Sequence, residues 1–230
     1  MKRLSTVIVL ALGVAGFGFS FQAGGGISVF VPQSLYLHGQ GSVSVDSTLQ
    51  YAVGLSKFLS IPIGVTYDKI YGFTPGGTAS LDQAGSPWFF GDTFMGYAMA
   101  KLHLPVSIFY LNLYGGGAVA WNAVLTPVGQ SIESYLASSD GAAAVAFPNP
   151  SYSAPWGFGW IAGAGVGVAI RKVSVDLNAI YRDVSSPLHL SGTYYAVSGS
   201  TATAKSYTAP AGAALLMQGL SIGISASLSL

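Results

Sequence analysis

Four ionisable residues, Asp46, Asp68, Asp176 and Arg182, pose the chemical question in this sequence. Each stands at a polar position in a segment where polar and aliphatic residues alternate, so on a strand it turns away from the aliphatic face. Three carboxylates and one guanidinium brought together on inward faces would build a buried, mutually satisfied ionic and hydrogen-bonded network. If the network left a gap, the same residues would line a polar path for a solute. A second pattern is His189 and Ser191, two residues apart and therefore on one strand face, a base beside a hydroxyl nucleophile. The carboxylate such a pair needs would have to be Glu133 or Asp183, and spacing brings neither to His189. His38, His103 and His189 are dispersed and there is no cysteine, so no metal cluster is expected. The glycines precede strands and do not form a phosphate-cradling loop. The expectation is a non-enzymatic chain with no catalytic residue, cofactor or metal.

The elements that must position these residues are strands. In residues 220–230, Leu220, Ile222, Ile224, Ala226, Leu228 and Leu230 alternate without interruption with Ser and Gly. This is a period of two, and about 9–11 residues is what a tilted strand needs to cross a bilayer. The pattern recurs along the chain. Val43, Val45, Leu49, Tyr51 and Val53 oppose Ser44, Asp46, Thr48, Gln50 and Ala52. Ile61, Ile63, Val65 and Tyr67 oppose Gly64, Thr66 and Asp68, and Val173, Val175, Leu177, Ala179 and Tyr181 oppose Ser174, Asp176, Asn178 and Arg182. In residues 88–101 the two faces differ little in polarity and leave the facing open.

Residues 156–170 contain Gly159, Gly163 and Gly167 at the spacing of a transmembrane-helix packing motif. Glycine nevertheless stands at nearly every second position opposite Phe158, Trp160, Val166 and Val168, which only a strand explains. Five glycines would cost a helix about 1 kcal/mol each. The inward glycines leave room in the interior.

Short reversals at residues 58–60, 103–105 and 171–172 alternate with longer connections, and an even number of strands returns both termini to one side. The pattern predicts an all-β fold: a transmembrane antiparallel up-and-down β-barrel of eight strands, near 26–36, 43–57, 61–71, 88–101, 106–121, 156–170, 173–186 and 220–230. Residues 122–155 and 187–219 are expected to be long external loops, the second including the weakly alternating residues 205–217. Ten strands is the alternative. Trp88, Phe90, Trp121, Trp156 and Trp160 fall mostly at the outer strand ends, where an aromatic girdle belongs. Lys57, Lys101, Arg171 and Lys172 fall at the inner ends, where snorkelling to the membrane interface is expected.

Half the residues are apolar, seven per cent are charged and thirty-one are glycine. Lys2 and Arg3 precede an apolar run and the small residues Gly18 and Ser20, the pattern of an export signal. Cleavage is placed after Ser20, so that residues 1–20 are the signal and 21–230 the barrel. Removal of the signal leaves seven basic side chains against eight acidic, which argues against a nucleic-acid partner.

An export signal, alternating strands, short inner turns, long outer loops and a terminal strand of this kind resemble the small outer-membrane barrels of the OmpW, OmpX and opacity-protein type. The resemblance implies residence in the outer membrane of a diderm bacterium, with outer-membrane lipid and the barrel-assembly machinery as partners. Those proteins usually end in Phe, whereas this chain ends in Leu230. Three functions follow as expectations. The first is a narrow passive route for small apolar molecules, with the apolar residues 142–147 and 209–217 lining its entrance. The second is a structural or surface-interaction barrel, adhesin-like, with a closed interior. The remote third is an outer-membrane lipid hydrolase, since His189 and Ser191 have the spacing seen in barrel lipid hydrolases.

Overall fold

The computed structural model describes residues 20–33, 43–73, 75–76 and 88–230. Residues 1–19, all of the proposed export signal but Ser20, residues 34–42, with the turn expected at residues 38–41, and residues 74 and 77–87, most of the loop expected at residues 71–87, lie outside the described residues. Eight long strands form an antiparallel meander: β1 (Ser20–Pro32), β2 (Ser44–Gly54), β3 (Leu59–Phe73), β5 (Phe89–Val106), β6 (Phe109–Pro127), β9 (Trp156–Ile170), β10 (Val173–Pro187) and β13 (Ala214–Ser229). Pairing of β1 with β13, from Gln22 opposite Ser229 to Pro32 opposite Gly219, closes the sheet into a barrel. A two-residue strand, β4 (Pro75–Gly76), leans on the end of β13.

The alternation decides the wall. Ile27, Leu49, Ile63, Val166, Leu177 and Ile224 are exposed on the outside, while Asp46, Asp68, Asn112, Asp176 and Arg182 are buried inside. This inverts a water-soluble protein, because the solvent outside is hydrocarbon. On β5 the open question of facing is resolved: Met95, Tyr97 and Met99 are buried inward and Phe94 faces out.

Several boundaries differ from the pattern-based ones. The first strand begins at Ser20 and not near residue 26, because Gly24 and Gly26, which carry no hydrophobic signal, pair with Ser227 and Ser225 on β13. The reversal expected at residues 103–105 occurs at Ser107 and Ile108, with Ser107 at φ 61, so β5 runs on to Val106. Pro105 sits opposite Tyr110, one pair from this turn, at a strand end where proline is tolerated. The last strand starts at Ala214, not residue 220, and turns Leu215 and Met217 inward.

The two long external segments are folded. Residues 129–208 contribute a helix, α1 (Gly129–Asp140), and the short strands β7 (Ala144–Ala146), β8 (Ser151–Ser153), β11 (His189–Ser198) and β12 (Thr201–Thr208). The strands pair through β11 into a second sheet that caps the barrel at the end opposite the short turns.

Candidate functional site: the barrel interior and its cap

The inward face of β10 organises the interior. From the short-turn end it presents Ser174, Asp176, Asn178, Ile180, Arg182, Val184 and Ser186 in alternation. Asp176 lies low in the barrel. Asn112 donates to its Oδ1 at 2.6 Å, and Lys101 Nζ stands 3.7 Å from its Oδ2. Asn112 in turn meets His103 Nδ1 at 3.0 Å, and the His103 ring lies 4.2 Å from that of Tyr110. Lys101 also sits over the rings of Tyr110 and Tyr114. Lys101 is thus a lumenal residue, not one that snorkels to the membrane interface, because the real turn lies several residues beyond it.

Six residues further along the same strand, Arg182 Nη1 contacts both oxygens of Asp68 at 3.0 Å and lies 3.5 Å from Asp46 Oδ2. Asp46 accepts from Ser44 and Ser221 as well, and the Phe30 ring stacks against the guanidinium at 3.6 Å. The interior charges therefore form two layers, Arg182 with Asp68 and Asp46, and Asp176 with Lys101. Between them Tyr114 donates to Asn178 Oδ1 at 2.6 Å, and Asn178 donates to Ser225 at 2.9 Å. Near the cap Thr93 donates to Asn122, which donates to Ser186 and to the carbonyl of Ala154.

The inward glycines of β9 do not open the lumen. A β-carbon at Gly167 would fall 2.5 Å from the Tyr110 ring, and one at Gly165 would strike Asn178 and come within 3.1 Å of the Tyr114 hydroxyl. The glycines give space to these large neighbours, as an eight-stranded interior filled by side chains requires. What remains is a central cavity of about 90 Å³, bordered by Gln50, Met95, Tyr97, Met99, Ile161 and Arg182 among others.

Above it the interior turns apolar. Val184, Leu215 and Met217 continue into a core of Trp88, Phe89, Ile132, Leu136, Phe147, Leu190 and Tyr194. On α1, Ile132 and Leu136 are one turn apart and share the buried face. Gly141, at φ 63, closes the helix, while Ala142 N–H reaches Ala137 O at 3.0 Å. Glu133 accepts the amide of Phe147 at 2.8 Å, and Asp140 accepts from Tyr194 at 2.6 Å and pairs with Lys205 at 3.1 Å. The sequence pattern predicts a loop across this region. The Ile132–Leu136 spacing followed by Gly141 was the signal that could have identified the helix.

No protein-family model matches the sequence, and no curated protein is detectably similar to it. Solved structures do match. The outer membrane protein OprG of Pseudomonas aeruginosa superposes with a TM-score of 0.56 at 8% identity, covering 94% of this chain and 98% of that one. A major outer membrane protein of Thermus thermophilus matches with a TM-score of 0.48 at 10% identity, over 93% and 100% of the two chains. Neisserial surface protein A gives 0.47 at 12% identity, over 94% and 99%. This chain has the fold of a small outer-membrane β-barrel.

Outer-membrane barrels have short turns at one end and long connections at the other, and the cap stands at the long-connection end of this one. The aromatic belt then lies towards the cap. Phe94 stacks on Trp121 at 5.9 Å, Trp121 on Trp156 at 6.3 Å, and Trp160 lies 5.5 Å from Tyr181. Phe90, Trp121, Trp156 and Trp160 are exposed on the outer wall. Trp88 is not part of this belt. It is wholly buried in the cap core, 4.9 Å from Tyr135, because it precedes the first residue of β5, Phe89, and so is not bound by the strand's alternation.

His189 and Ser191 share one face of β11, opposite Ser153 and Ser151 of β8. Neither candidate carboxylate joins them: Glu133 is bound to Phe147, and Asp183 accepts from Gln218 at 2.7 Å. His103 lies in the lower ionic layer and His38 outside the described residues. The apolar residues 142–147 and 209–217 divide between the cap surface, where Ala143, Ala144, Ala146 and Ala211 are exposed, and the interior. Phe147, Ala213, Leu215 and Met217 are buried in the core that joins cap and barrel.

Proposed function

We propose that this chain is an outer-membrane barrel whose interior is shut to solute flow and whose folded outer cap binds a partner at the cell surface. The observation that carries this reading is the pair of buried ionic layers crossing the lumen beneath a packed apolar cap. Only Nη1 of Arg182 is engaged, and its buried Nε and Nη2 have no hydrogen-bond partner among the described residues, so the expected fully satisfied network is only partly made. Separating the pairs would still leave each charge desolvated, which makes the layers costly to open. The cap supplies what a binding element needs, a pre-ordered surface held by its own core and by Asp140. No catalytic step belongs to this reading. The test is twofold. In planar bilayers and in liposomes loaded with an apolar fluorophore, the protein is expected to add neither conductance nor uptake. On cells, Asp140→Ala is expected to weaken surface adhesion without lowering the amount of assembled barrel.

A second reading, a narrow route for small apolar molecules, rests on the apolar column of Met95, Ile161, Val184, Leu215 and Met217 between the central cavity and the cap core. Saturable apolar uptake that Met217→Arg abolishes would establish this route in place of the closed barrel.

A further inference from the structure

The short-turn mouth of the barrel contains a cavity of about 220 Å³. Lys57 from the β2–β3 turn and Arg171 and Lys172 from the β9–β10 turn line it, and Lys101 and His103 border its inner end. Residues that snorkelled to the lipid interface would spread around the outer rim, whereas these converge on the lumen. Hydroxyls of Ser56, Ser60 and Ser174 share the lining, and no Asp or Glu does. Ser56 Oγ accepts the amides of Phe58 and Leu59, which leaves its own O–H free to donate.

Among the described residues, Lys57, Arg171 and Lys172 make no ion pair. The nearest lumenal carboxylate, Asp176, is already held by Lys101 and Asn112. The mouth is therefore a concave surface of donors and positive charge, and low-dielectric walls focus such a field. Ammonium, guanidinium and hydroxyl donors without a competing carboxylate suit a phosphate group.

We propose that the periplasmic mouth is a phosphate-binding vestibule in which Lys57, Arg171 and Lys172 hold the anion above Lys101. The phosphate has two possible sources, a free phosphate in the periplasm or the headgroup of an inner-leaflet phospholipid, and one experiment separates them. The full-length barrel in zwitterionic detergent is titrated with inorganic phosphate and followed by phosphorus NMR. In parallel, the barrel in phosphatidylcholine nanodiscs doped with spin-labelled phosphatidylglycerol is assayed for lipid enrichment. The variant combines Lys57→Gln, Lys172→Gln and Arg171→Asn. Asn suits the left-handed φ of 58 at position 171. Lys205→Gln in the cap is the control.

Phosphate binding weakened about tenfold by the triple variant, the equivalent of roughly 1.4 kcal/mol spread over three charges, supports the free-phosphate source. Phosphatidylglycerol enrichment that the triple variant removes, without phosphate binding in detergent, supports the headgroup source. If the triple variant does not assemble, Lys172→Gln alone is read in both arms. Absence of binding in both arms, or binding that these substitutions leave unchanged, overturns the proposal.

Discussion

Arg182 on β10 and Asp68 on β3 meet across the lumen, with the guanidinium Nη1 3.0 Å from each carboxylate oxygen. Their strands are not neighbours in the sheet, so this contact ties opposite walls of the cylinder. Arg182→Met keeps much of the volume but leaves Asp68 and Asp46 buried without their cation. The expected loss is about 3–5 kcal/mol, read as a lower urea midpoint of tryptophan fluorescence in micelles. Adding Asp68→Asn and Asp46→Asn to Arg182→Met removes the stranded charges and is expected to recover most of that loss.

Gly167 tests whether the glycines of β9 exist to admit their neighbours. Gly167→Ala would press on the Tyr110 ring and on Asp176 Oδ1, both 2.5 Å from the new β-carbon. The expected cost is about 1–3 kcal/mol in the same unfolding assay. Combining it with Tyr110→Leu should return part of the stability, and an additive loss would sink the explanation.

The cap has an acid-sensitive clasp. The hydrogen bond from Tyr194, followed by Lys205, holds the Asp140 carboxyl below its ordinary range, while the bond to Asp140 raises the Tyr194 phenol to about 12. A lowered carboxyl contributes stability that is present above its unfolded value and is lost as pH falls through the folded one. A raised phenol contributes stability present below its unfolded value and lost as pH rises through about 12. Proteolytic nicking of the cap, by pepsin on the acid side and proteinase K on the alkaline side, should therefore be slowest between these limits. Asp140→Asn is expected to flatten the acid limb.

Trp88 is fully buried, and among the described residues its indole N–H finds no acceptor. Trp88→Phe therefore loses packing but no hydrogen bond, whereas Trp88→Ala opens a cavity beneath α1. The alanine change is expected to cost about 3–5 kcal/mol and the phenylalanine change clearly less. Near-ultraviolet circular dichroism of the cap and the urea midpoint would report both. Equal losses would show that the indole nitrogen matters.

The sequence by itself determined which way most side chains face. Period-two alternation is local, and with hydrocarbon outside, a one-residue slip on β2, β3, β10 or β13 would turn a row of Ser, Asp or Asn into lipid. Residues 156–170 and 173–186 were legible nearly to the residue for that reason. Only the tertiary structure decided which inward groups meet, because partners such as Arg182 and Asp68 or Lys101 and Asp176 lie on strands that are not paired with each other. The shear of the closed barrel sets their relative heights, and no local pattern records it. The same holds for Trp88, which the alternation could not distinguish from its belt neighbours, and for the cap. Its short strands are too brief to show a period, and they pair only once the barrel brings residues 144–153 beside residues 189–198.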